Sequence, residues 1–158
     1  MIKDELRELR THLVRALSGG DSHITFEQVM KDFPAHARAS KPAGAPHTAW
    51  ELLEHMRIAQ RDILDFSRYP KHKSPTFPDG YWPGNPAPAN EKAWQEAIAG
   101  FERDRREFAA LIENSDLFTP FPHGDGQNLL REAIVLANHN SYHLGEVVFL
   151  KKLLTGKA

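Results

Sequence analysis

Four stretches of the chain repeat apolar residues at spacings of three and four, the period of an amphipathic helix. In the first, Ile2, Leu6, Leu9, Leu13 and Leu17 share a face and Ser18, Gly19 and Gly20 stop the pattern, which predicts a helix over about 2–17. Residues 25–33 read as a short helical turn with Thr25 as its cap, ended by Pro34. The second long helix follows a link at 41–46 that contains Pro and Gly. Thr48 caps it, and Glu51 three residues later completes a capping box. Leu52, Met56, Ala59, Ile63 and Phe66 make its apolar face, and Pro70 closes the segment. The third helix spans about 90–112, with Trp94, Ile98, Phe101, Phe108 and Leu111 on its buried side. Its dense mixed-charge run at 102–107 reads as a solvated face laced by intrahelical pairs. The fourth spans about 128–154, with Gly156 just past its end.

Between the second and third helices the chain changes character. Six prolines fall between Pro70 and Pro88, with Phe77, Tyr81 and Trp82 among them. Proline lowers the entropy lost on ordering, and the aromatics supply surface to bury. Such a loop serves as a lid over a site or as a packing cover. A second linker, rich in Pro and Gly, occupies 114–126. No strand alternation and no internal repeat interrupts the helices. The pattern therefore predicts an all-α fold, a four-helix bundle with a long Pro-rich loop between helices 2 and 3, as one domain over 1–158.

Composition narrows the function classes. Twenty basic and 21 acidic side chains give a formal net charge of -1, which argues against a nucleic-acid binder, because that affinity rests on clustered Lys and Arg. No apolar run approaches the roughly 18 residues of a membrane span, and the charged N-terminus has no signal-like apolar region. The expectation is a soluble cytoplasmic protein. Cysteine is absent, which removes disulfides, thiolate ligands and cysteine nucleophiles.

Histidine is the unusual count, at nine of 158. In the fourth helix Leu136, His139, His143, Val147, Leu150 and Leu154 form one stripe, so two imidazoles occupy positions where a bundle places aliphatic residues. They lie one turn apart and about 40° apart in direction, close enough for both nitrogens to reach a single ion. A metal relieves the cost of burying two unpaired imidazoles, because neutral imidazole is the ligand form. In the second helix Leu52, His55, Ala59 and Phe66 follow the same spacing, so His55 also points inward and offers a third nitrogen. The competing reading is a hydrogen-bonded polar layer without metal. His12, His23, His36, His47, His72 and His123 read as bystanders, with His47 and His123 nearest the mouth of the site. Asp62 and Asp65 share the helix of His55 and read as solvated carboxylates or as acceptors that orient imidazoles. Asn138, Asn140 and Tyr142 are polar groups without an assigned partner.

Three segments carry a family resemblance: HTAWELLEHMRIAQRDILDF at 47–66, YWP at 81–83, and NHNSYHLGEVVFLKKLLTG at 138–156. They resemble the DinB-like (DinB/YfiT) superfamily, whose pattern is a His in the second helix followed by H-x-x-x-H-x-G in the last, here His55, His139, His143 and Gly145. The resemblance implies a four-helix bundle, a three-His site for a divalent metal ion, commonly nickel or zinc, and a homodimer. Many relatives carry Gln after that glycine, where this chain has Glu146. Glu146 stands as a fourth ligand, a base acting on bound water, or a surface carboxylate. Some members resemble metal-dependent S-transferases that use a low-molecular-weight thiol such as bacillithiol, mycothiol or glutathione; others resemble hydrolases or isomerases.

Three neutral imidazoles leave a bound ion its full charge and an open position, which activates water or a thiol. With no cysteine in the chain, the thiol must arrive on a small-molecule cosubstrate. H-E-x-x-H, G-x-S-x-G and the phosphate-loop pattern are all missing from the sequence. The expected function is a metal-dependent thiol S-transferase or hydrolase. The alternatives are a non-catalytic metal-binding or interaction protein, and a metal-free bundle.

Overall fold

The structure, a computed structural model, describes residues 3–156. Ile2, expected at the head of the first helix, lies outside the described residues, as do both ends of the expected domain. The chain is all-α: α1 (Lys3–Ser18), α2 (Phe26–Met30), α3 (Ala49–Arg68), α4 (Glu91–Asn114) and α5 (Leu129–Thr155). Single 3₁₀ turns occur at Ala35–Ala37 and Asp79–Tyr81.

The helix ends follow from their caps. Thr48 Oγ1 accepts the Glu51 backbone N–H at 3.1 Å, and the Glu51 carboxylate accepts the Thr48 N–H at 2.7 Å. This reciprocal pair satisfies two donors that the start of α3 would otherwise leave unpaired. Thr25 and Gln28 repeat the device at α2, which ends at Met30 rather than reaching Phe33. Asn90 and Asn128 cap α4 and α5. Gly156 closes α5 in the left-handed region at φ 66°, where a side chain would be strained.

Helix α3 packs on both α4 and α5, and α1 packs on the same two. The apolar interior falls into two clusters. One gathers Phe26, Val29, Phe33, Leu52, Met56, Trp94, Phe101, Leu144 and Val147. The other gathers Leu13, Leu17, Leu64, Phe108, Ile112, Leu129 and Leu136. Burying each large side chain contributes about 1.5–3 kcal/mol. The chain crosses from one cluster to the other at Gln60 in α3, between Met56 and Leu64, and at Asn140 in α5, between Leu136 and Leu144. A buried polar layer therefore separates two greasy halves.

The charged run at 102–107 departs from its expected solvated role. Asp104 is fully buried and pairs with Arg103 at 3.0 Å and Arg61 at 3.5 Å. Arg105 pairs with Glu27 of α2, and Arg68 of α3 donates to Glu107 at 2.5 Å. The run bridges helices because α3 and α2 lie against that side of α4. Charge alternation alone does not encode depth.

The connection between α3 and α4 is fastened back onto α3 by one carboxylate. Asp62 Oδ1 accepts from His72 Nε2 at 2.7 Å, and its Oδ2 accepts from the Tyr81 hydroxyl at 2.7 Å. That fastening sets Tyr81 and Trp82 beside His55.

Candidate metal centre

His55 projects from α3, and His139 and His143 project from consecutive turns of α5. Their Nε2 atoms converge. His55 Nε2 lies 3.1 Å from His139 Nε2 and 3.2 Å from His143 Nε2, and one nitrogen of each ring lies within 4.8 Å of the others. Two nitrogens bonded to one ion at about 2.0–2.1 Å, meeting at roughly 90–110°, stand about 2.8–3.4 Å apart. Both spacings from His55 Nε2 lie inside that window.

The opposite nitrogen of each ring decides what these contacts are. His55 Nδ1 lies 2.9 Å from the Tyr81 backbone carbonyl, which can only accept. His143 Nδ1 lies 2.6 Å from Glu146 Oε2, and His139 Nδ1 faces Asn140 Oδ1 at 3.5 Å. Oxygen acceptors at all three Nδ1 positions place the ring hydrogen there and leave each Nε2 as a bare lone pair. Three lone pairs then face one another with no hydrogen between them. Such a cluster is repulsive by itself and complementary to a cation, so the residues present fit a divalent metal.

Electrostatics agrees. Burial pushes the His139 imidazole down to about 4, and the neighbouring rings of His143 and His55 push it in the same direction. Burial also lowers the pKa of His55, against the opposing pull of the Tyr81 carbonyl. Both rings are held in the neutral form that a metal needs.

Aromatic packing fixes the His55 ring. Trp82 stacks on it at 4.0 Å with an interplanar angle of 7°, and stacks on His47 at 3.8 Å and 13°. The indole thus lies between the two imidazoles and shields one face of His55. Tyr142, itself exposed, turns the edge of its ring to His143 at 4.9 Å and 85°.

The three expected ligand positions come together, and the other histidines do not join them. His12, His23 and His36 are exposed, and His72 is held by Asp62. His123 contacts the Phe66 carbonyl at 2.8 Å. His47 is one ring removed, behind Trp82. Glu146 stands outside the trio, on the far nitrogen of His143. Neither aspartate of α3 is simply solvated. Asp62 grips the connecting segment, while Asp65 accepts from Arg61 at 2.7 Å. Asn138 is exposed. Asn140 is buried and donates to Gln60 Oε1 at 3.0 Å, and Gln60 Nε2 donates to the Phe101 carbonyl at 2.6 Å.

Sequence reasoning missed two contributors. Gln60 had a readable signal, since it is four residues from both Met56 and Leu64 and so occupies a core position. The Tyr81 carbonyl had none, because a backbone oxygen carries no side-chain identity and its approach to His55 depends on the path of the loop.

This architecture and cluster define an all-helical protein built around three convergent imidazoles. Residues 21–147 match the model of the DinB superfamily, and the chain belongs to that superfamily. No curated protein and no solved structure matches it. Among the described residues, no helix is long and apolar enough to cross a membrane.

Proposed function

We propose that the protein is a divalent-metal-dependent enzyme, a four-helix bundle whose His55, His139 and His143 hold nickel or zinc, and that it catalyses thiol S-transfer or hydrolysis. One observation carries the reading: three Nε2 lone pairs converge while every Nδ1 faces an oxygen acceptor. A metal ion bound there supplies a positive charge that acidifies a water or thiol and polarises a substrate oxygen.

The chain's own groups do the remaining work. The Tyr81 carbonyl, Glu146 and Asn140 hold the ring hydrogens at Nδ1 and aim the three Nε2 atoms inward. Such outer partners raise ligand basicity and fix ring orientation. Trp82 covers a face of His55 and keeps water from it. The chain contributes no thiol, so S-transfer requires a low-molecular-weight thiol as cosubstrate. Glu146, held by His143, orients that ring in preference to serving as a fourth ligand, which leaves the ion a position for substrate.

Elemental analysis of the untagged protein tests the reading. About one equivalent of transition metal per chain is expected after reconstitution. Less than about a tenth of that would remove the foundation. The reconstituted protein is then offered glutathione or bacillithiol with an electrophile, and separately an ester or amide. The alternative, a non-catalytic metal-binding protein, predicts a cobalt-substituted site whose visible spectrum ignores added thiol and solvent exchange. We place the homodimer on the outward face of the N-terminal part of α5, where Ile134 and Val135 are exposed, clear of Phe149 and Leu153. Sedimentation of the full chain at a single monomer mass would refute that placement.

A further inference from the structure

A pocket of about 200 Å³ opens between the linker at 43–47 and α5. Leu52 and Leu150, both buried, form its floor. Phe149 and Leu153, 63% and 55% exposed, form a wall that no other element covers among the described residues. The linker residues Ala43, Ala45 and Pro46 face them. Two polar side chains, His47 and Glu146, complete the lining.

The polarity is arranged lengthwise. Glu146 and Leu153 are seven residues apart on α5, so about 10 Å of helix separates the carboxylate from the apolar end. Glu146 is the only formally charged residue in the lining, and no Lys or Arg opposes it there. One of its oxygens accepts from His143 Nδ1. The other has no hydrogen-bond partner among the described residues. Both polar residues also touch the metal centre's surroundings, Glu146 through His143 and His47 through Trp82. Sites for drug-sized ligands run to about 300–1,000 Å³, so this one suits a smaller molecule.

We propose that this pocket binds the apolar body and cationic end of a small primary ammonium compound, of the size of phenethylamine, with its ammonium group on the free oxygen of Glu146. The pocket deepens the proposed function by naming a substrate class, and only the word substrate rests on that reading. A cation there is paired by charge, while its hydrocarbon part covers Phe149, Leu150 and Leu153. An anion of the same shape would meet the carboxylate and be repelled.

The test is ligand-observed NMR with the full chain, as purified and after chelation. The probes are phenethylammonium, 2-phenylethanol and 3-phenylpropanoate, which share a body and differ in charge. Binding is expected in the order ammonium, alcohol, carboxylate, with the ammonium ion displaced by excess octylammonium. E146Q keeps an acceptor for His143 Nδ1 and removes the charge; it should weaken the ammonium ion about tenfold and leave the alcohol unchanged. F149S, at an exposed position that the fold does not need, should weaken ammonium and alcohol alike. Equal binding of the ammonium ion and the carboxylate to the chelated protein would overturn the proposal. So would an E146Q variant with undiminished ammonium affinity, or a dimer whose formation excludes the probe by covering Phe149 and Leu153. Ammonium binding by a protein that holds no metal would leave the pocket standing and sink the proposed function. Metal loading without ammonium binding would do the reverse.

Discussion

Two polar layers interrupt the apolar interior between α3 and α5, and they are built differently. At Gln60 and Asn140 the polar groups find partners within the protein. Gln60 donates to the Phe101 carbonyl and accepts from Asn140, both within 3.0 Å. At His55, His139 and His143 only the outer nitrogens find oxygen partners, and the inner nitrogens find one another. The first layer is satisfied within the protein, and the Asn140 oxygen left over turns to His139 Nδ1 of the second at 3.5 Å. The second is half satisfied, which is costly for buried polar groups unless a ligand completes them. The two layers lie within a turn or so of each other on the same helices, so burial alone does not separate a structural polar layer from a site. The direction of the lone pairs does.

The largest effect expected from that contrast is on metal affinity. His143→Ala removes one of three ligands and should weaken binding by more than about 100-fold, beyond the 10–100-fold typical of losing an outer partner. The metal-free variant should unfold at nearly the wild-type denaturant midpoint, because it has lost a lone pair that was facing two others. Chelator competition and urea denaturation measure the two quantities. An unchanged metal affinity would show that the three imidazoles do not share an ion.

Gln60→Leu should invert the pattern. It strands the buried Asn140 amide N–H, at about 1–3 kcal/mol, and takes from the Phe101 carbonyl only a second partner beside its bond within α4, so a stability loss of about 1–3 kcal/mol is expected. Metal stoichiometry should stay at one per chain. Loss of metal from a folded Gln60→Leu protein would mean that the two layers act as one.

Acid should also distinguish them. In the metal-free protein, burial holds His139 at about 4, below its ordinary 6.5, and His55 is lowered as well. The unfolded chain takes up protons that the fold refuses. Stability is therefore fully present above about pH 6.5, falls as pH drops towards about 4, and levels off below that. Discounted for partial solvent access, the loss is about 1–2 kcal/mol from His139. Urea midpoints of wild type and His139→Gln at pH 7.5 and pH 5 check the sign. The variant should show the shallower dependence.

Much of this arrangement is written in spacing. The capping box of Thr48 and Glu51 fixes where α3 begins and Gly156 where α5 ends, because each is a local interaction of residues near in the chain. The inward course of His139 and His143 follows from the stripe they share with Leu136 and Val147. Depth was harder to read. Asp104 looks like its charged neighbours and is buried, and Asp62 looks like a surface acid and holds a loop. Both depend on which element lies opposite, a long-range fact that a local pattern does not contain.

Asp62 gives the smallest expected effect and the most direct test of how the loop serves the site. Its two oxygens accept from His72 and from the Tyr81 phenol, and the Tyr81 backbone carbonyl holds His55 Nδ1. An asparagine has one acceptor oxygen and an NH2 in place of the other, so in Asp62→Asn one of the two donors lets go or turns round to accept, and the charge beside the phenol is lost. The contact lies one step further from the ion than the partners whose loss costs 10–100-fold, so a weakening of about three- to tenfold is expected. A looser loop could produce that by itself, and the phenol offers a second readout. Burial, together with the hydrogen bond and charge of Asp62, pushes Tyr81 up to about 12. In Asp62→Asn the ultraviolet ionisation of this phenol should move down towards the ordinary value of about 10. If affinity and phenol shift together, the carboxylate acts on His55 through Tyr81. If the phenol moves and affinity holds, His55 is kept in place by Trp82 and helix packing without help from Asp62.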